Sequence, residues 1–117
     1  MVVIEGWKAG GHLGFHLDEL EKWNDISYET EVGKIINIVR FYEEKYEKKI
    51  PIILAGGMYS AKDLKRAKEL GADGIQVGSR FVTTKECDAD IRYKEAYINA
   101  QKEDIQIVKR NSILHYG

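Results

Sequence analysis

Cysteine is nearly absent from this chain. Cys87 is the only one in 117 residues, so an intrachain disulfide is impossible and a thiolate-rich zinc site has no ligand set. A reducing, cytoplasmic setting is the expectation. An excess of either charge is also missing. Eighteen Lys and Arg stand against 19 Asp and Glu, for a formal net charge of −1. A surface for nucleic acid or anionic lipid needs clustered basic residues, so neither partner is expected. No apolar run approaches the ~20 residues of a membrane span, and Met1–Glu5 lacks the basic-then-apolar pattern of a leader. Proline occurs once, at Pro51. No low-complexity stretch or Pro/Gly/Ser linker divides the chain, and its length suits one small domain, residues 1–117, with its own core.

Glycine, by contrast, is grouped. Three clusters each follow an apolar, strand-like run: Ala9-Gly10-Gly11-His12 after Val2-Val3-Ile4, Ala55-Gly56-Gly57 after Ile52-Ile53-Leu54, and Gly78-Ser79-Arg80 after Ile75-Gln76-Val77. A backbone without side chains just past a strand lets a phosphate or a flat ring approach main-chain N–H groups. On successive parallel strands, three such turns open on one face, as in a barrel or a doubly wound sheet.

Between the clusters the pattern is helical. Val32, Ile35, Ile36, Val39, Tyr42 and Tyr46 recur every three or four residues and predict a helix from about Thr30 to Lys48. Pro51 suits the first position of a strand. Ser60 predicts a helix start with Asp63 in the capping-box position, an inner stripe of Ala61, Leu64, Ala67 and Leu70, and Gly71 as terminator. Asp73–Val77 reads as the third strand. A last helix is expected from about Arg92 to Lys102 with Tyr93, Ala96, Tyr97 and Ala100 inward, and Ile105–Val108 as a fourth strand. Gly14–Tyr28 reads as an excursion over the end of the first strand, with Asn24-Asp25 breaking a short amphipathic turn. Alternating strands and helices predict an α/β fold with a parallel sheet of three to four strands.

His12 is the sharpest catalytic candidate. It follows Gly10-Gly11 on the face where the turns converge, and an imidazole changes charge near ~6.5, where it serves as base or donor. His16 lies four residues on, but Gly14 intervenes and no third ligand is evident, so no metal is assigned. Glu86 and Asp88 flank Cys87 and argue against a thiolate nucleophile. Gln76 reads either as a cofactor contact or as a core amide satisfied locally. Arg80 reads either as added charge for an anion or as a structural ion pair. The Ser60 helix start adds N–H donors that attract an anion.

Glu5-Gly6-x-x-Ala9-Gly10-Gly11-His12-x-Gly14, Ile52-x-x-Ala55-Gly56-Gly57 and Leu70-Gly71-Ala72-Asp73-Gly74-Ile75-Gln76-Val77-Gly78-Ser79-Arg80-Phe81, with Thr84-x-Glu86-Cys87 and Tyr93-Lys94-Glu95-Ala96 beyond, closely resemble the nitronate monooxygenase family. The flavin-dependent enoyl-acyl-carrier-protein reductases share the pattern. The match runs from roughly Val2 to Val108. The resemblance implies an FMN-binding TIM barrel. It places the FMN phosphate on Gly56, Gly57, Gly78 and Ser79, sets Ala9, Gly10 and Gly11 beside the flavin, and puts His12 in the family's catalytic position; Gln76 is expected among the cofactor-binding residues. There it takes a proton from a nitroalkane, and the reduced flavin then reacts with oxygen. The substrate is a small molecule, a nitronate or, in the reductases, an enoyl thioester. A closed (β/α)8 barrel needs about 200–250 residues, so the chain reads as a partial barrel, the C-terminal portion of such an enzyme. Self-association, or a partner supplying the missing barrel half, is the corresponding expectation. The tail from Arg110 to Gly117 does not resemble the family.

Overall fold

A computed structural model describes residues 1–10, 17–20, 22 and 24–107. Packing divides the chain into two units, Met1–Phe81 and a second that starts at Val82. The elements in chain order are β1 (Val2–Glu5), α1 (Leu17–Leu20), α2 (Asp25–Tyr46), β2 (Ile52–Ala55), α3 (Ala61–Leu70), β3 (Gly74–Ile75), α4 (Ser79–Val82) and α5 (Ile91–Asn99). No described helix is long and apolar enough to cross a membrane.

The three strands form one parallel sheet in the order β1-β2-β3. Val2 lies opposite Ile52, Glu5 opposite Ala55, and Leu54 opposite Ile75. Consecutive strands are neighbours and the order never reverses, which is winding in one direction rather than the double winding that reverses at a switch point. Pro51 sits just before β2, where it loses no ladder bond, and its carbonyl accepts the Val2 N–H at 2.8 Å. Ile52 and Leu54 are both 0% exposed. Two residues apart on a strand, they share a face. That face meets Ile4 from β1, Val32, Ile36 and Val39 from α2, and Ala67 and Ala72 around α3. Val3 belongs to the opposite face and is 44% exposed.

The structure redraws three expectations. Asn24-Asp25 starts a helix instead of breaking one. Asn24 adopts extended dihedrals and its side chain accepts the Ser27 N–H at 2.9 Å, the preferred N-cap arrangement. α2 therefore begins five residues before the expected start at Thr30. The third strand is shorter than Asp73–Val77. Asp73 spends its carboxylate on the Ile52 N–H, and Gln76 N–H reaches Leu54 O at 2.8 Å as the chain turns away. Ile105–Ile107 forms no strand, and Val108 lies outside the described residues. The expected stripes are also only partly buried. Val32, Ile36, Val39 and Ala67 are, whereas Ile35, Tyr42, Tyr46 and Leu64 are exposed and α5 buries no residue.

The caps of α3 are those the sequence leads one to expect. At α3, Ser60 and Asp63 form the reciprocal capping box, and Gly71 terminates in the left-handed region. In the second unit, Asp90 accepts the Arg92 N–H at 2.8 Å to cap α5. Lys94 Nζ donates to Thr84 O at 2.8 Å and to Cys87 O, holding that loop. The Tyr93 and Tyr97 rings pack on each other at 5.1 Å.

Carboxylates hold the sheet edge that lies away from the glycine turns. Asp73 accepts the Ile52 N–H at 2.8 Å, and Glu43 accepts the Ile50 N–H at 2.6 Å. Arg40 joins them, donating to Glu43 at 2.8 Å and to Gly71 O at 2.8 Å. The Ile50 N–H and then Arg40 hold Glu43 below the usual carboxylate range, and the Ile52 N–H, aided by Arg40 and Lys49, does so for Asp73. The unfolded chain thus takes up protons first. The stabilisation is complete above the unfolded values near ~4 and is lost as pH falls through the folded ones. Asp73→Ala, which leaves a buried N–H without an acceptor, is expected to cost about 1–3 kcal/mol near neutrality. Urea melts across the acid range test this. The variant should lose less stability on acidification than the parent, and parallel curves would contradict the assignment.

Candidate active site

Parallel pairing carries the residues that follow β1, β2 and β3 to one edge of the sheet. The first turn leaves β1 with Gly6 N–H on Ala55 O at 3.1 Å, and it closes with Ala9 N–H on Gly6 O at 3.1 Å. Gly56 faces it. Gly56 has φ +91°, and a Cβ there would lie 3.0 Å from Ala9 N and 3.2 Å from both Gly6 N and Gly6 O. The first two turns therefore meet backbone to backbone, at a distance only glycine permits. A Cβ on Gly57 would meet the Lys8 stem at 3.1 Å.

The third turn is tied to the second by Arg80, whose Nη1 donates to Tyr59 O at 3.1 Å. That contact supports a structural role for Arg80. Gly78 O accepts the Phe81 N–H at 2.9 Å as α4 begins. A Cβ at Gly78, or at Gly10, would meet nothing within 4 Å. Gln76 is exposed, which removes the core-amide reading. Gly57, Gly78 and Ser79 are exposed as well, and no hydrogen bond among the described residues engages their N–H groups or that of Met58. Gly11 and His12 lie outside the described residues.

The start of α3 does not offer what its sequence suggests. Asp63 already accepts from Tyr59 N at 3.0 Å, Ser60 N at 2.9 Å and Ser60 Oγ at 2.8 Å. These bonds, the Tyr59 N–H foremost, hold its carboxyl below the usual range. The cap takes up the Tyr59, Ser60 and Asp63 N–H groups and adds a negative charge. The backbone open to an anion is upstream, at Gly57-Met58, and across at Gly78-Ser79.

A cavity of about 80 Å³ opens between the first two turns, lined by Gly6, Trp7, Lys8, Tyr28, Gly57 and Arg66 among others. Two cations do not make it an anion pocket, since Arg66 pairs with Glu29 and also faces the Asp63 charge. Tyr28 is the residue that sequence reading missed. Assigned to a loop, it belongs to the first turns of α2, and the Asn24 cap was the signal for that. Its hydroxyl is buried without a hydrogen-bond partner among the described residues. Burial raises its pKa, so the group is neutral.

The chain matches the family model described as nitronate monooxygenase over residues 1–114. It is 30% identical over 108 residues to proteins named probable nitronate monooxygenase from Staphylococcus aureus strains Newman and USA300, and 29% identical to that of strain JH9. Each alignment takes in 92% of this chain but 28% of the relative, so the chain spans less than a third of their length.

Proposed function

This chain belongs to the nitronate monooxygenase family, and on that footing we propose that it is part of an FMN-dependent (β/α)8-barrel oxidoreductase acting on nitronates in the cytosol. The observation that carries the reading is the approach of Gly56 to Gly6 and Ala9 at one sheet edge, together with the N–H groups of Gly57, Met58, Gly78 and Ser79, which no hydrogen bond among the described residues engages. Opposite-edge turns would have removed its physical basis.

The residues present fit a flavin phosphate. Bare backbone at two neighbouring strand ends gives an anion several N–H donors with no side chain between. Arg80 braces the third turn against the second through Tyr59 O, so the donors of both turns keep their spacing. The family resemblance implies a flavin ring beside Ala9 and Gly10 of the first turn. When bound, flavin supplies the two-electron oxidation and the reaction with oxygen. His12 then has one task, removal of the α-proton from a neutral nitroalkane to yield the nitronate.

The test is the visible spectrum of the purified chain titrated with FMN. Uptake of oxidised flavin is expected, and none would end the assignment. In an active preparation, His12→Ala should slow turnover of a neutral nitroalkane by about 10²–10⁴-fold. It should slow a preformed nitronate far less, because that proton is already gone. Equal losses on both would place His12 outside proton transfer. NADH oxidation stimulated by an enoyl thioester, and not by a nitronate, would identify the reductase chemistry instead.

A further inference from the structure

Gly6 is pressed from two sides. On one is Gly56, already described. On the other is the Tyr28 ring, where a Cβ on Gly6 would lie 2.6 Å from Cε2 and 3.1 Å from Cδ2. Gly6 is buried, and its own N–H and carbonyl fix the turn through Ala55 O and Ala9 N. The Gly6 peptide thus packs closely against both the ring and the second turn. A change in ring size at position 28 therefore moves the Gly6–Ala9 turn relative to Gly56.

The hydroxyl adds nothing to that stack. Tyr28 Oη is the one buried side-chain polar atom without a partner among the described residues. A phenyl ring fills the same space without that burden, so the ring is the working part of the side chain.

We infer that Tyr28 is a positioning residue, its ring setting the gap between the first two glycine turns and thereby the seat of the flavin. The last clause rests on the flavin reading above, whereas the ring-to-turn coupling stands on geometry alone. Tyr28 does not touch the reacting atoms. It acts through Gly6.

The experiment compares the full chain with Tyr28→Phe, Tyr28→Leu, Gly6→Ala and the double variant Gly6→Ala/Tyr28→Leu. FMN affinity and amide exchange are followed well below the melting temperature, with circular dichroism confirming that each variant is folded. Tyr28→Phe should keep FMN affinity within about twofold and melt no lower than the parent, since an unpaired buried hydroxyl is removed. Tyr28→Leu and Gly6→Ala should each weaken FMN by about tenfold or more. The double variant should lose less than the product of those two factors, because the smaller side chain admits the new methyl. In Tyr28→Leu, exchange of the Ala9 amide should accelerate while that of Asp73, bonded to Ile52 O at the far edge, stays unchanged. A purely structural role would lower the melting temperature and leave both the FMN affinity and the contrast between the two amides untouched. Failure of the parent chain to take up FMN would remove the flavin reading alone. Equal Ala9 exchange in parent and Tyr28→Leu would overturn the coupling, and loss of FMN in Tyr28→Phe would overturn the ring as its agent.

Discussion

Gly56→Ala is expected to unfold a large share of the protein at growth temperatures, whereas Gly78→Ala should leave the fold untouched and weaken FMN. At Gly56 the backbone sits at φ +91°, a conformation that costs an L side chain about 1–2 kcal/mol. The new methyl would also stand 3.0 Å from Ala9 N and 3.2 Å from the Gly6 peptide. Those are main-chain atoms held by hydrogen bonds and cannot swing aside. Overpacking of this kind adds about 1–3 kcal/mol. The sum approaches the lower end of the ~5–15 kcal/mol that holds a domain folded, and the melting temperature should fall by more than about 10 °C. At Gly78 no positive φ is required, and a Cβ meets nothing. Gly78→Ala should therefore melt within about 2 °C of the parent. A methyl there intrudes where a phosphate oxygen would approach the N–H, so FMN affinity should fall about tenfold. Thermal melts and FMN titration of the two variants separate glycine kept for the fold from glycine kept for a ligand. Unchanged affinity in Gly78→Ala would take the third turn out of the site.

That division was only half legible in the sequence. Glycines after apolar runs announce turns at strand ends, and parallel strands follow from alternation with helices. The parallel sheet and its common edge were therefore readable from Val2–Ile4, Ile52–Ala55 and Asp73–Val77, whereas the same pattern left the strand order open between a barrel and a doubly wound sheet. Which glycine is crowded was not, because crowding depends on what the fold brings opposite. Nothing near Gly56 in the chain foretells Gly6 and Ala9 as its neighbours. The same limit explains the helix stripes. Periodicity showed that Tyr42, Tyr93 and Tyr97 lie on apolar faces, but a face is buried only if an element stands against it. Among the described residues none does so closely enough to bury these three, at 43%, 51% and 41% exposure. At Asn24 the information was present and was misread. An Asn followed by Asp is both a turn former and a helix N-cap, and the choice turns on whether an apolar stripe follows. Here one does, eight residues on at Val32.

Leu54→Ala and Val3→Asp are expected to give opposite results, and together they report what the sheet's second face meets in solution. Leu54 lies at the centre of β2, 0% exposed, between Ile4 on β1 and Ile75 on β3, with its carbonyl on Gln76 N–H. Truncation there leaves a cavity that rigid strands cannot close, at a cost of about 2–5 kcal/mol. Loss of a cooperative melt is the expected outcome. Val3 points the other way and is 44% exposed. A carboxylate there costs little if water already reaches the face. β1 and β3 each pair along one edge only among the described residues, and open edges beside an apolar face favour association. The parent chain is therefore expected to sediment above its monomer mass, and Val3→Asp to sediment nearer to it with the melting temperature unchanged. If the parent is instead a monodisperse monomer that melts cooperatively, three strands with one covered face suffice for this protein. If Val3→Asp destabilises as much as Leu54→Ala does, the second face is as dry as the first, and the sheet is closed by contacts as intimate as those of its own helices.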